Sequence, residues 1–560
     1  MKRNSQTGYF VLTGLALLIN LLFGFDKSML VYEKSTPVLS PYLQARVDGS
    51  TSSDTLSVWI YFTDKGIFTI DEYDSAKDIT EKRMNPRTRW RRAKVNRENA
   101  DFSDIPVCRD YVSKVLLYGA KLRTTSKWLN AISVCLPVDS LHLLAQLKFV
   151  YKIDLVLKFK LSPEISKSHI STGLSKDTFA PATLNYGQSY DQLNQINVIA
   201  AHEAGYAGQN VYVLILDTGF FKDHEAIDTT LIIAERDFIN NDGNTQDEPG
   251  DTVTVPPHAH GTYCLSALGG SMDSKHYGPA YESNFLLAKT ECVAYEREIE
   301  EDWFVAALEW GDSLGADVTS ASLGYIDWYD FSDIDGKTAV TTIAVEQAYK
   351  NGILCVSAAG NQNNSPDWKH IITPADAEHV ISVGAVDTNG IISSFSSRGP
   401  TYDGRIKPEV VARGVNTHCA LAGGQTSYGY KSGTSLSTPL VAGAVAVILS
   451  AHPDWTPDMV REAMMMTASN FRNPDNTYGW GLVDVMAAIE YDFNGIKPGD
   501  IDFDGRFLVT DIVILVRIVL GEVNPHEFEF QAADINSNGT IDISDIIDLV
   551  NKILDDGNKI

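Results

Sequence analysis

Between about residue 186 and residue 491 the chain alternates two patterns. Short, nearly continuous apolar runs stand at "NVYVLILD" (210–217), "GADVTSASLG" (315–324), "GILCVSAAG" (352–360) and "HVISVGAVD" (379–387). Stretches with helical periodicity lie between them, such as "DWFVAALEWGDSLG" (302–315) and "VTTIAVEQAYKN" (340–351). Continuous apolar strands alternating with helices specify a parallel sheet covered on both faces. The chemistry of such sheets collects at the carboxyl ends of the strands. Residues 55–160 read differently. The strand "LSVWIYFTDKG" is followed by "SKWLNAISVCLPVDSLHLLAQLKFVYKIDLV", which reads strand, turn, short amphipathic helix, strand. Between the two, the basic run "EKRMNPRTRWRRAKVNR" (81–97) predicts a solvated helix, and the polar segment 162–183 predicts a linker. From Gly499, "GDIDFDGRFLVTDIVILVRIVLG" is echoed 34 residues on by "ADINSNGTIDISDIIDLVNKIL", a two-unit repeat. At the other end, Lys2 and Arg3 precede an apolar run from Tyr9 to Phe25. That is the pattern of an export signal over 1–25, with an uncleaved anchor as the alternative. No other stretch reads as long and apolar enough to span a bilayer.

Charge changes this picture in one respect. The net charge is −26, but residues 27–180 carry +7 and residues 181–560 carry −34. An acidic body excludes nucleic acid as the main partner, because phosphate binding needs a basic footprint. The basic front end suits an acidic partner, and the nearest is the rest of the chain. The six cysteines (Cys108, Cys135, Cys264, Cys292, Cys355, Cys419) form no C-x-x-C pair, so zinc and thioredoxin-type readings have no support. Disulfides and small buried hydrophobes remain the two readings.

Four short pieces carry candidate chemistry. Asp217 ends an apolar strand beside a glycine turn, a costly place for a carboxylate without a hydrogen-bond partner. His260 lies in "HAHGTYCLSALGG". It is preferred to His258 because the Gly-Thr after it lets the backbone turn straight into a helix. Ser435 lies in "GTSLSTPLVAG", at the mouth of an apolar helix. The N–H groups and positive end of that helix would stabilise an oxyanion on a carbonyl attacked by the serine. Asn361, in "SAAGNQ", offers an amide just after a buried strand. Each alone is an ordinary structural residue. Together they read as an Asp that orients, a His that acts as general base and then acid, a Ser nucleophile, and an Asn that joins the Ser435 N–H on the oxyanion.

The motifs D-T-G, H-G-T and G-T-S-x-S-T-P, in this chain order, resemble the subtilisin-like serine proteases, or subtilases. The resemblance runs from 186 to about 490. It takes in "YGQSYDQLNQINVIAAHEAGYAG", "FSSRGPTYDGRIKPEVVA" and "YGWGLVDVMAAI". It implies an α/β fold, a three-layer parallel sheet with helices on both faces, over residues 186–491. It implies a triad of Asp217, His260 and Ser435 with Asn361 as oxyanion donor. Ser322, Leu323 and Gly324 match the strand that pairs with the substrate backbone, and Gln362 the rim of the first specificity pocket. Two departures stand out. Arg413 replaces the usual proline of an A-P-G, and Tyr263 and Cys264 follow the H-G-T. A cysteine directly behind the histidine predicts sensitivity to mercurials.

The front region, 27–180 with a core at about 55–160, resembles a subtilase propeptide, a small α+β unit that docks on its own enzyme. Maturation is expected within residues 160–186. In the C-terminal repeat, Asp500, Asp502 and Asp504 stand at positions one, three and five of a loop that Asp511 closes at position twelve. Asp534, Asn536, Asn538 and Asp545 repeat the pattern, and Arg506 and Thr540 would offer backbone carbonyls at position seven. Oxygen ligands in this alternation suit Ca²⁺. One helix after each loop makes residues 499–556 resemble a small α-helical dockerin, whose family docks on cohesin domains of a scaffold or cell surface. The acid-rich loop 240–251 reads as solvated, with a further calcium site in the catalytic domain as the alternative. The resemblances together imply a secreted or cell-surface serine endopeptidase, made as a zymogen, acting on protein or peptide substrates and using calcium but no organic cofactor. A catalytically silent binding or scaffold protein on the same fold is the alternative.

Overall fold

The computed structural model describes residues 38–51, 54–156, 184–227, 231–248, 258–292, 299–326, 329–493, 497–501, 507–521, 523, 525 and 527–557. The export signal at 1–25, the linker at 162–183 and residues 502–506 of the first repeat lie outside them.

The amino-terminal domain contains β1 (Thr55–Phe62), α1 (Ile70–Arg83), α2 (Pro86–Ala93), α3 (Arg109–Leu116), β2 (Lys121–Ser126), β3 (Ala131–Pro137), α4 (Ser140–Ala145) and β4 (Val150–Leu155). Its strands form an antiparallel sheet of order β2-β3-β1-β4. Successive strand residues face opposite sides of a sheet. Val58, Ile60 and Phe62 therefore join the domain's own core, with Val134, Leu141 and Val150. Trp59 and Tyr61 point the other way and pack into the core of the next domain.

That central domain is built on seven strands: β5 (Tyr212–Asp217), β6 (Ile232–Asp237), β7 (Asn284–Lys289), β8 (Val318–Ala321), β9 (Leu354–Ala358), β10 (Ile381–Val386) and β11 (Val410–Arg413). Their order is β11-β10-β9-β8-β5-β7-β6, and every neighbouring pair is parallel. The helices that position the site are α5 (Ala259–Gly269), α6 (Glu300–Leu314), α7 (Val340–Lys350), α8 (Thr434–Ala451) and α9 (Pro457–Met466). Along β5, Val213 and Ile215 join the layer of α5, α8 and α9, while Leu214 and Leu216 join the layer of α6 and α7. Three layers follow from that alternation.

Helix α8 is the centre of this packing. Every residue from Thr434 to Leu449 is buried. It corrects the expectation that only the amino terminus could span a bilayer. Its 18 residues have a mean hydropathy of 1.7, yet 89% of them are buried within the fold. An apolar helix enclosed by protein satisfies the same composition test as one enclosed by lipid.

The basic run 81–97 is also corrected. It is not a solvated helix: Arg91 and Arg92 of α2 are 0% and 1% exposed, and both reach Asp312 on α6. The carboxylate that makes burial of these arginines affordable lies 221 residues further on from Arg91, out of reach of any local pattern.

The carboxyl-terminal module holds α10 (Val509–Val519), α11 (Glu527–Ala533) and α12 (Ile543–Gly557) around Ile501, Leu515, Ala532 and Leu549. None of the six cysteines is in a disulfide in this structure.

Candidate active site

Strand β5 delivers Asp217 at its carboxyl end, fully buried. Asp217 Oδ1 accepts from the Thr218 N–H at 2.7 Å and from His260 Nδ1 at 2.6 Å. His260 stands in the first turn of α5. The approach of that turn to β5 requires the next residue to be glycine. A β-carbon on Gly261 would lie 2.1 Å from the Gly219 carbonyl oxygen and 3.1 Å from Asp217 Cβ. His258 is turned elsewhere. Its Nδ1 accepts from the Asp247 N–H at 3.2 Å, and burial, with Lys289 nearby, pushes its pKa down to about 4.

Ser435 is the second residue of α8 and 6% exposed. Three contacts hold it. Its Oγ donates to the Ser322 carbonyl at 3.4 Å, and its own carbonyl accepts from Ser322 Oγ at 2.9 Å and from Cys264 Sγ at 3.4 Å. Cys264 thus ties α5 to α8. Its sulfur is also 3.9 Å from His260 Nδ1, and burial pushes the thiol up to about 11. Asn361 follows β9. Its Oδ1 accepts from the Thr434 N–H at 2.9 Å and from Thr434 Oγ1 at 3.1 Å. A backbone N–H can only donate, so the oxygen must face Thr434, and the Nδ2 donor is left for the space beside Ser435.

Ser322, Leu323 and Gly324 follow the end of β8. Gly324 is packed close: a β-carbon there would lie 2.3 Å from Ile372 Cδ1. Gln362 turns back on its own loop, where its Oε1 accepts from the Asn361 N–H at 2.5 Å and from Ser397 Oγ at 3.3 Å. The structure therefore brings Asp217 and His260 into contact and sets Ser322 and Asn361 around Ser435. The bridges from Ser322 Oγ and Cys264 Sγ to the Ser435 carbonyl had no signal in the sequence, since hydroxyls and thiols carry no spacing rule for such a contact. The carboxylates of Asp242 and Glu248, on the loop that the sequence reads as solvated, lie close to that of Asp237 at the end of β6.

In the C-terminal module the two loops share one hydrogen-bond register. Asp511 Oδ1 accepts from the Ile501 N–H at 2.8 Å, and Asp545 Oδ1 from the Ile535 N–H at 2.9 Å, 34 residues on. Asp534 accepts from the Asn538 and Gly539 N–H groups at 3.0 and 2.8 Å, and Asn538 Oδ1 from the Thr540 N–H at 2.8 Å. Asp500, Asp511, Asp534 and Asp545 are all buried. Asp502, Asp504 and Arg506 lie outside the described residues.

Comparison with known proteins gives three family matches along the chain. Residues 208–481 match the Subtilase family, 57–171 match the Peptidase S8 propeptide domain of Bacteroidota, and 498–554 match the Dockerin type I domain. Subtilisin E of Bacillus subtilis is 32% identical over 346 residues, spanning 62% of this chain and 82% of its own length. The subtilisin of Bacillus pumilus is 33% identical over 300 residues, 53% of this chain and 98% of its own. Serine protease AprX of Bacillus subtilis is 33% identical over 313 residues, 50% of this chain and 66% of its own. A solved protease structure from Pseudoalteromonas arctica aligns with 55% of this chain at 25% identity, with a TM-score of 0.46.

Proposed function

The chain belongs to the subtilase family of serine endopeptidases, and we propose that Asp217, His260 and Ser435 are its catalytic triad. The observation that carries this reading is the 2.6 Å contact of Asp217 with His260 in a structure that holds Ser435 at the mouth of α8. Ser435 Oγ attacks the carbonyl carbon of the scissile peptide bond, and His260 takes its proton. The imidazolium then returns that proton to the leaving amine, and water releases the acyl group by the same route. Asp217 fixes the tautomer and stabilises the imidazolium. Charge on the carbonyl oxygen is met by Asn361 Nδ2 and the Ser435 N–H, which as an early residue of α8 has no partner within the helix. Ser322 to Gly324 pair with the substrate backbone, and Gln362 stands at the pocket rim. Labelling with a fluorophosphonate probe tests the assignment. A wild-type band that reacts, and a folded Ser435→Ala chain that does not, is the expected result. A folded, processed wild-type chain that resists the probe would sink it.

Asn361 gives a second test. Asn361→Leu removes the Nδ2 donor and is expected to lower kcat by about 10²–10³ with KM little changed, the loss known for the matching amide of subtilisin. A kcat within a few-fold of wild type would remove Asn361 from the oxyanion site.

Residues 27–180 act as an inhibitory propeptide that is cut within 160–186, so the chain is made as a zymogen. Export through residues 1–25 and calcium-dependent docking of residues 499–556 on a cohesin place the enzyme outside the cell or on its surface. The donor set fits calcium, being oxygen only: the buried carboxylates of Asp500, Asp511, Asp534 and Asp545, the exposed amides of Asn536 and Asn538, and the Thr540 carbonyl. Asp502, Asp504 and the Arg506 carbonyl would complete the first loop. Calcium there supplies the counter-charge that lets these acids stay buried. Chelation is expected to collapse hydrogen-exchange protection over 507–557 while leaving β5 to β11 protected. In calorimetric titration, Asp545→Ala is expected to lose one of two calcium equivalents. Full protection without calcium would overturn the metal reading.

A further inference from the structure

Helix α2 occupies a groove that the central domain builds from two helix ends. Helices α6 and α7 are each followed by a glycine in the left-handed region, Gly315 and Gly352, both at φ +88°. Such a residue closes a helix. Both glycines face the amino-terminal domain. A β-carbon on Gly315 would lie 2.7 Å from Arg87 Cγ, and one on Gly352 would lie 3.3 Å from the Arg91 carbonyl oxygen. The last carbonyls of a helix lack partners within it and carry the negative end of its dipole. Here α2 supplies the donors. Arg91 Nη1 donates to the Ala316 carbonyl, two residues past the end of α6, at 2.6 Å and Arg91 Nε to the Asn351 carbonyl that closes α7 at 3.1 Å, so one guanidinium spans the ends of both helices. Arg87 Nε donates to the Gly315 carbonyl at 3.1 Å, and Thr88 Oγ1 to the Asp312 carbonyl at 2.8 Å.

Charge is matched at the same place. Arg91 Nη2 and Arg92 Nη2 take the two oxygens of Asp312 at 2.5 and 2.6 Å. Arg92 also forks onto Asp104 of its own domain at 2.7 and 2.8 Å, and Arg87 pairs with Asp317. The groove is far from the catalytic centre for a topological reason. Helix α6 connects the parallel strands β7 and β8, so it runs back from the carboxyl ends of the strands to their amino ends. Asp312, Ala316, Asp317 and Asn351 lie at the amino ends of β8 and β9. Asp217 ends β5 at its carboxyl end, and Ser322 and Asn361 follow the carboxyl ends of β8 and β9. The 15 residues of α6 amount to about 22 Å of helix between the two.

We propose that this groove is a second docking site for the prodomain, separate from the cleft, which recognises a basic helix of pattern Arg-x-x-x-Arg-Arg and retains the prodomain after the linker is cut. The inference rests on reading residues 27–180 as a propeptide cut within 160–186. A buried charge stripped of its partner is far more costly than a rim pair, and buried pairs are little screened by salt. Retention by the groove therefore resists salt.

The test uses the full chain carrying Ser435→Ala, with a recognition sequence for an added site-specific protease placed within residues 160–186. Cutting from outside makes the result independent of self-processing, which the Ser435 chain reports separately by whether it shortens unaided. After the cut, the amino-terminal fragment is expected to co-elute with the central domain in size exclusion, even in about 1 M NaCl, where the Debye length is about 3 Å. Asp312→Asn, on the enzyme side, is expected to weaken retention by about a hundredfold or more, and the pair Arg91→Gln with Arg92→Gln by at least as much. Arg87→Gln, at the half-open end of the groove, serves if the double variant fails to fold, with a loss of about tenfold expected. Unchanged retention in both Asp312→Asn and Arg87→Gln would overturn the proposal, as would release of the unsubstituted fragment in salt.

Discussion

Ser435→Ala is expected to reduce kcat on a peptide substrate by about 10⁶-fold, the loss known for the nucleophile of subtilisin. The geometry explains why nothing else can substitute. The hydroxyl stands on the second residue of a helix buried on every side, and its carbonyl is held from two directions by Ser322 and Cys264. Cys264 is a poor substitute, because its thiol is buried, donates to the Ser435 carbonyl, and is pushed up to about 11. The alanine removes one hydroxyl and leaves the packing, so thermal unfolding is expected to shift little. Residual hydrolysis within a hundredfold of wild type, in protein free of contaminating protease, would show that another group attacks.

Asp217→Asn is expected to lower kcat by about 10⁴-fold with KM almost unchanged, again the scale known for this family and its convergent relatives. The substitution preserves shape. It removes the negative charge beside His260 Nδ1, so the imidazolium formed when the ring takes the Ser435 proton loses its stabilising partner. The short 2.6 Å contact and the complete burial of Asp217 leave the amide no room to rotate toward solvent. Steady-state kinetics over a pH series, with circular dichroism to establish the fold, measure the effect. A loss under tenfold would mean that Asp217 is structural and that the imidazole is oriented otherwise.

Much of the architecture was legible because it depends on short-range pattern. The runs 210–217, 315–324, 352–360 and 379–387 each contain a strand of the parallel sheet, and their unbroken apolar character reflects burial on both faces. The preference for His260 over His258 rested on the glycine that follows it. In the structure His260 is the one that lies on Asp217. Contacts between distant positions were not legible. Run 81–97 is polar by every local measure, and a guanidinium whose carboxylate is 221 residues away reads as a solvated one. The same holds for Glu309 of α6, which accepts from Ser126 Oγ at 2.6 Å and from the Trp128 N–H at 3.1 Å in the amino-terminal domain. Helix α8 misled in the opposite direction. Its small residues and single proline, Pro439, diluted an apolar segment as long as a membrane span.

Gly261 carries a consequence for mutational tolerance. Positions near a reactive centre are usually ranked by the functional groups they offer, and on that scale a glycine ranks last. Here the spacing of two backbones decides whether His260 meets Asp217, and the spacer at their crossing is a single hydrogen atom. Any side chain would press on the Gly219 carbonyl from 2.1 Å and wedge α5 away from β5. A residue with no chemistry of its own is therefore expected to be as intolerant of replacement as the histidine beside it.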